Sequence, residues 1–116
     1  MFAEFARFTV KTDTQRFLSL RAEAVRAVKR AHPGLVAAPL LVQHGDGSWT
    51  DVWIYRTEQE AQAANAGASE IEGFMAMAAA LDGVSVESGV MHQPGSGEFA
   101  AGGVRTGGVR TGGECP

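Results

Sequence analysis

The stretch LVAAPLLVQHGDGSWTDVWIYR, residues 35–56, contains two apolar runs on either side of an Asp46-Gly47 pair. An Asp-Gly pair between apolar runs is typical of a tight hairpin turn, so residues 35–43 and 48–56 are predicted to be antiparallel strands. Pro39 lies within the first run. Proline lacks a backbone N–H and is tolerated in edge strands, so this run is predicted at an edge of the sheet.

The segments at the two ends of the folded region predict two further strands. FAEFARFTV (2–10) and VSVESGVMH (84–92) are rich in the aromatic and β-branched residues that strands favour. Together with the two strands of the hairpin, they give four predicted strands.

Two helical regions separate these strands. An apolar stripe at helical spacing runs over residues 17–31, and Thr12 and Gln15 before it have the spacing of a capping box. The second region, residues 57–83, begins with Thr57 and Glu60 at capping-box spacing and contains an apolar stripe that includes Phe74. It is expected to be interrupted at Gly67 and to end at Gly83. The resulting order, β-α-β-β-α-β, predicts an α+β, ferredoxin-like antiparallel sheet with both helical regions on one face.

The predicted sheet is apolar on both faces. Strand alternation places Trp49, Trp53 and Tyr55 on one face, and Val52 and Ile54 on the other. The same alternation along 35–43 separates two sets, Val36, Ala38, Leu40 and Val42 from Leu35, Ala37 and Leu41. Because the helices cover one face only, we expect a homodimer in which two sheets pack together as a dimeric α+β barrel.

Composition limits the domain organisation and the class of partner. The chain has 116 residues, a net charge of −3 and 45% hydrophobic residues. These values predict a soluble, cytoplasmic protein that binds neither nucleic acid nor membrane. Residues 1–92 are expected to fold as one domain, and the Gly-rich residues 93–116, with two VRTGG units and Cys115, to form a flexible tail.

The strand 48–56 carries the residues that are best suited to chemistry. Trp49, Asp51, Trp53 and Tyr55 share one of its faces. Three ring systems around a carboxylate suit a flat aromatic ligand, because the rings stack on it while the carboxylate orients it or takes a proton. The alternative is an aromatic core cluster in which Asp51 pairs with Arg7 on the first strand.

Three other residues are candidates for the lining of such a pocket. Arg7, Asn65 and His92 are predicted to bind substrate, from the first strand, the helical break and the end of the last strand. The histidines at 32, 44 and 92 do not have metal-ligand spacing, so no metal site is predicted.

The stretch DGSWTDVWIYRTEQEAQAA (46–64), with ARFTVK near the start, HPG after the first helix and SGVM in the last strand, resembles the antibiotic biosynthesis monooxygenase family. The resemblance covers roughly residues 3–92 and implies a dimeric α+β barrel. Asp51 falls at the family's Asn and Tyr55 at its Trp. The family's helix Tyr and Arg fall near Ala61 and Met75, so neither carries over.

The resemblance implies a function without a bound cofactor. Members that oxygenate polycyclic phenols use no flavin, haem or metal, and the deprotonated substrate passes an electron to O₂. A cofactor-independent monooxygenase of aromatic, polyketide-like phenols or quinols is therefore expected, with Asp51 and Tyr55 as its catalytic residues. The alternatives are a non-catalytic dimer that binds a small aromatic ligand, and an isomerase or cyclase on the same fold.

Overall fold

The structure is a computed structural model that describes residues 1–92. Its elements are β1 (Phe2–Val10), α1 (Thr14–Ala31), β2 (Leu35–Gln43), β3 (Trp49–Tyr55), α2 (Glu58–Gly67), a 3-10 turn (Ala68–Glu70), α3 (Glu72–Ala78) and β4 (Leu81–Val90). No helix in this part of the chain is both long and apolar enough to cross a membrane. The predicted tail, with its VRTGG units and Cys115, lies outside the described residues.

The strands form one antiparallel sheet in the order β2-β3-β1-β4. β1 and β3 are central, and β2, which contains Pro39, lies at an edge. The α+β, ferredoxin-like arrangement predicted from the order of elements is confirmed.

The helix starts agree with the sequence prediction in one case and correct it in the other. Thr57 caps α2 by accepting a hydrogen bond from the backbone N–H of Glu60 at 3.1 Å, as predicted. The predicted capping box at the start of α1 is wrong, because Asp13 is the cap and accepts from the Arg16 N–H at 2.9 Å. A carboxylate at this position satisfies one of the free N–H groups of the first turn.

The last helix ends earlier than predicted, and the last strand begins earlier. Gly67 ends α2 as expected, but α3 stops at Ala78, and Gly83 lies inside β4 with a φ of +61°. The register of β1 against β4 shifts between Arg7 and Thr9, because β4 carries one extra residue at this point. Glycine is suited to such a bulge because it adopts positive φ without steric cost.

The alternation expected along β2 is also corrected. Ala38 packs against the same core as Leu35 and Leu41, although alternation placed it with Leu40. The register of β2 on β3 shifts twice between Leu35 and Leu40, in the segment that leads to and includes Pro39. A shift of one residue moves the following side chains to the opposite face.

The two faces of the sheet differ in their cover. On the helix side, strand residues pack with residues of all three helices around Phe17, which is fully buried. On the opposite side, which we call the outer face, Ala3, Val52 and Ile54 form a small cluster without any helix residue. Leu40, directly opposite Val52 on this face, is 45% exposed. The helices therefore cover one face and leave the other apolar and open.

Candidate functional site

A cleft of about 280 Å³ lies between the helix side of the sheet and helices α2 and α3. Its volume is close to the lower end of the roughly 300–1,000 Å³ that is usual for small-molecule sites. The lining is mostly apolar, with a few polar side chains, and consists of Glu4, Ala6, Phe8, Asp51, Trp53, Tyr55, Asn65, Phe74, Met77, Leu81, Val84 and Val86. This composition makes the cleft the candidate ligand site.

The pairing of the central strands brings the polar and aromatic side chains of the cleft together. Trp53 on β3 is directly opposite Glu4 on β1, and Asp51 is directly opposite Ala6. Residues that pair directly in an antiparallel sheet project from the same face. Both carboxylates therefore lie on the helix side, with Trp53 between Asp51 and Tyr55 along β3.

Aromatic rings form one wall of the cleft. The rings of Trp53 and Phe74 are 6.4 Å apart between centroids and meet at 87°, the edge-to-face arrangement that aromatic pairs favour. Tyr55, two residues along β3 from Trp53, is only 3% exposed. These rings offer flat apolar surface to a ligand with an aromatic system.

Asp51 is held by Arg21, which projects from α1. The Arg21 Nη2 donates to Asp51 Oδ1 at 2.8 Å, and its Nε lies 3.1 Å from both carboxylate oxygens. The same Nη2 also donates to the backbone carbonyl of Ala38 at 2.9 Å. Asp51 is 1% exposed, so this is a buried charge with a matched cation. Two-point guanidinium pairing fixes the orientation of the carboxylate.

The pairing of Asp51 with Arg7, proposed as an alternative from the sequence, is wrong. Arg7 is directly opposite Thr50, so its side chain projects from the outer face. Its guanidinium donates to Ser48 Oγ at 3.1 Å and lies 3.7 Å from the Asp46 carboxylate. Arg7 therefore belongs to the hairpin end of the outer face and does not reach the cleft.

A second carboxylate of the cleft, Glu4, has a different environment. Its Oε2 accepts a hydrogen bond from the side-chain amide of Asn65 on α2 at 2.7 Å. Within residues 1–92, Glu4 takes part in none of the ion pairs. Burial, and secondly the charge of Glu4, raise the pKa of Tyr55 above its ordinary value. The Tyr55 hydroxyl is therefore protonated at neutral pH and can donate a hydrogen bond.

The structure brings four of the sequence-predicted site residues together. Asp51, Trp53, Tyr55 and Asn65 all line the cleft. Trp49 shares their strand face, but its ring packs edge-to-face on Phe17 at 5.1 Å and belongs to the core under α1.

The predicted substrate-binding roles of Arg7 and His92 do not fit their positions. Arg7 is on the opposite face of the sheet, and His92 is exposed beyond the end of β4. Neither lines the cleft. In the described part of the chain, no group of three or more His, Cys, Asp or Glu side chains is placed to hold a metal ion.

Sequence reasoning missed three residues that shape the site. Glu4 lies on the same strand face as the buried Phe2 and Phe8. The alternation along β1 therefore places a carboxylate on the core-facing side, and the sequence alone could have indicated this. Arg21 lies four residues after Phe17 and three before Ala24, so it interrupts the buried stripe of α1. Charged residues at apolar positions indicate a buried partner or a site. Phe74 was predicted only as part of an apolar stripe, and its place in the cleft depends on how α3 packs.

Comparison with known proteins supports the fold. The sequence matches no family model and no curated protein. Among solved structures, SnoaB, a cofactor-independent oxygenase from Streptomyces nogalater, superposes with a TM-score of 0.63 at 22% identity, covering 80% of this chain and 94% of SnoaB. A protein from Nitrosomonas europaea assigned as an antibiotic biosynthesis monooxygenase gives a TM-score of 0.58 at 18% identity, covering 78% of this chain and 98% of that one.

A protein from Caulobacter crescentus with the same assignment gives a TM-score of 0.60 at 16% identity, covering 79% of this chain and 90% of that one. The chain therefore has the fold of the antibiotic biosynthesis monooxygenases, as the sequence resemblance implied.

Proposed function

We propose that this chain is a cofactor-independent monooxygenase that oxidises an aromatic, polyketide-like phenol or quinol in the cleft between sheet and helices. The observation that carries the proposal is the set of side chains in the cleft, where Trp53, Tyr55 and Phe74 share the lining with carboxylate and amide groups. The fold likeness to SnoaB, a cofactor-independent oxygenase, supports the same reaction class.

The aromatic residues position the substrate and exclude water. Trp53 and Phe74 present ring surface to the planar ring system, and Tyr55 presents a protonated hydroxyl as donor. A deprotonated phenol gains a hydrogen bond from such a donor in a site of low polarity. Two carboxylates, Asp51 and Glu4, line the cleft, and one of them accepts the substrate's proton.

The proposed reaction needs O₂ but no external reductant. The phenolic O–H loses its proton to a carboxylate, and the phenolate passes one electron to O₂. The substrate radical and superoxide combine in a new C–O bond at a ring carbon that bears hydrogen. The resulting peroxide takes up a proton. The O–O bond then breaks with loss of the ring C–H proton, giving a quinone and water, so that all four electrons that reduce O₂ come from the substrate.

Oxygen uptake tests this proposal directly. The purified chain is incubated with a panel of anthrones and hydroquinones in an oxygen-electrode cell, beside the Trp53→Ala variant. Loss of the indole removes stacking surface, so uptake in the variant should fall by roughly 5- to 150-fold, from about 1–3 kcal/mol of ring contact. Uptake by the native chain that never exceeds the variant on any compound would refute the proposal.

A non-catalytic role in binding a small aromatic ligand is the second candidate. It is favoured by the pairing of Asp51 with Arg21, which already uses both carboxylate oxygens. Ala61 and Met75, at the positions of the family's helix Tyr and Arg, supply no polar group. Ligand binding without O₂ uptake would support this candidate, and product without O₂ uptake would indicate an isomerase or cyclase.

We also propose that the chain is a homodimer that pairs through the outer face. Phe5 and Leu40 on this face are each 45% exposed, and both are directly opposite Val52 in the central strand β3. An apolar row across a sheet without helical cover is stabilised when a second sheet covers it. A second copy of this chain is the partner that presents the same surface.

A further inference from the structure

We infer that Glu4 is the carboxylate that meets the substrate's hydroxyl group, so that the cleft selects aromatic ligands with a free O–H and Glu4 accepts the proton. The recognition part of this inference concerns binding alone. The proton transfer rests on the proposed monooxygenase function.

The two carboxylates of the cleft differ in how far they are already occupied. Both oxygens of Asp51 accept hydrogen bonds from the Arg21 guanidinium, and the residue is 1% exposed. A charged donor therefore already occupies this carboxylate before a ligand enters the cleft. Asp51 is therefore suited to hold α1 against β3 and to shape the floor of the cleft.

Glu4 is not held by a cation in the described part of the chain. Within residues 1–92 its polar side-chain contact is one neutral donor, the Asn65 amide on Oε2 at 2.7 Å, and it takes part in none of the ion pairs. A carboxylate has about four acceptor sites, so Oε1 is available to a ligand hydroxyl. Asn65 fixes one oxygen and thereby orients the other, which makes it a positioning residue.

The surroundings of Glu4 specify the kind of ligand. Trp53 is directly opposite on β3, so a ring stacked on that indole lies beside the carboxylate. Burial and, secondly, the charge of Glu4 raise the pKa of Tyr55, so the Tyr55 hydroxyl and the Glu4 carboxylate interact electrostatically. An anionic acceptor next to a neutral donor suits a substrate oxygen that first donates its proton and then accepts a hydrogen bond.

The proposed step is balanced in protons and electrons. The substrate O–H bond breaks, its proton forms a bond to Glu4 Oε1, and the electron pair stays on the phenolate oxygen. After the phenolate has reacted with O₂, the protonated Glu4 returns the proton to the peroxide oxygen. Glu4 ends the cycle ionised, and the oxidant is O₂.

The test compares a hydroxylated anthraquinone with its O-methyl ether, using quenching of tryptophan fluorescence to measure affinity. The native chain should bind the hydroxyl compound roughly 10- to 100-fold more tightly, because the ether leaves a desolvated carboxylate unpartnered. Glu4→Gln keeps an acceptor for Asn65 but adds N–H donors, so the preference should fall to roughly 3-fold or less. Glu70→Gln, which removes the same charge from the exposed 3-10 turn, is the matched control and should behave as the native chain.

Oxygen uptake on the best panel substrate separates recognition from catalysis. We expect Glu4→Gln to reduce uptake by roughly 10²- to 10⁴-fold with its melting temperature unchanged. A hydroxyl preference that is the same in Glu4→Gln as in the native chain would overturn the inference, even if the native chain consumes O₂. If the hydroxyl preference is lost in Glu4→Gln but the native chain consumes no O₂, the recognition role of Glu4 is supported and the proposed function is rejected. If neither compound quenches the native chain, both are rejected.

Discussion

Arg21 on α1 binds both carboxylate oxygens of Asp51 on β3, with the closest contact at 2.8 Å. The pair links the long helix to a central strand at the floor of the candidate ligand site. Because Asp51 is 1% exposed, neither partner can be removed without leaving a charge in an apolar environment. The pair therefore ties α1 to the sheet beside the cleft, and we expect its loss to lower the stability of the fold.

The first prediction concerns this buried pair. Arg21→Met should lower the free energy of unfolding by about 3–5 kcal/mol, because it leaves the Asp51 carboxylate buried without a cation. Urea unfolding measured by fluorescence checks this value. Arg56→Met provides the control, because the Arg56–Glu60 pair is exposed and its loss should cost about 1 kcal/mol or less. Equal losses in the two variants would show that the Arg21–Asp51 contact is no more important than a surface pair.

The second prediction separates the two tryptophans. Trp53 lines the cleft, whereas Trp49 packs on Phe17 in the core. A hydroxylated anthraquinone should quench the fluorescence of Trp49→Phe, in which Trp53 remains, and should quench Trp53→Phe only weakly. Trp49→Phe should lower the free energy of unfolding by about 1–3 kcal/mol, and by more than Trp53→Phe does, because it removes volume from the core. Equal quenching of the two variants would place the ligand outside the cleft.

The third prediction concerns the single tyrosine of the chain, Tyr55. Burial, followed by the charge of Glu4, raises the pKa of Tyr55 above its ordinary value of 10.0. Tyrosinate absorbance should therefore rise only at a pH above 10.0 in the folded chain. In Glu4→Gln the midpoint should move down, because one of the two causes is removed.

The same shift has a consequence for stability with a definite sign. The folded-state pKa of Tyr55 lies above its unfolded value, because the folded chain favours the neutral hydroxyl. The contribution of the neutral Tyr55 to the free energy of unfolding is fully present below pH 10.0. It is lost as pH rises from that value through the folded-state pKa. A folded-state midpoint at the ordinary value, with no dependence on Glu4, would contradict the position of the hydroxyl in the cleft.

The fourth prediction concerns the outer face. Sedimentation velocity at low micromolar concentration should give a dimer for the native chain. Phe5→Glu should shift it toward monomer, because it puts a charge in the apolar row that includes Val52 and Leu40. Glu87→Gln, directly opposite Phe5 on the edge strand, changes the charge at the end of this row without adding one within it, and should leave the dimer intact. A native chain that is a folded monomer would refute the dimer proposal.

The fold was predictable from local signals, and the contacts of the site were only partly so. The ferredoxin-like sheet could be predicted from the Asp46-Gly47 turn, Pro39 and the two helical regions, because few topologies connect such elements. Alternation placed Asp51, Trp53 and Tyr55 on one face correctly. Alternation failed along β2, where the register shifts.

The choice of partner for Asp51 was beyond a reading of one sequence. Arg7 is on the neighbouring strand, but its side chain projects from the other face. Arg21 reaches Asp51 only because α1 crosses the sheet at that point, and the helix crossing is a tertiary property. The strand face of Glu4 could be predicted from the sequence, but its contact with Asn65 depends on where α2 packs.

Tracing the oxygen atoms of O₂ tests whether a monooxygenase reaction takes place in the cleft. The native chain is supplied with an anthrone or hydroquinone that supports O₂ uptake, under an atmosphere of heavy-isotope O₂, and the product is analysed by mass spectrometry. We expect a quinone that carries one heavy oxygen atom from O₂, with the other atom recovered in water, and slower formation of this product in Trp53→Ala. A quinone without heavy oxygen, or labelled product formed at the same rate in Trp53→Ala, would rule out this reaction.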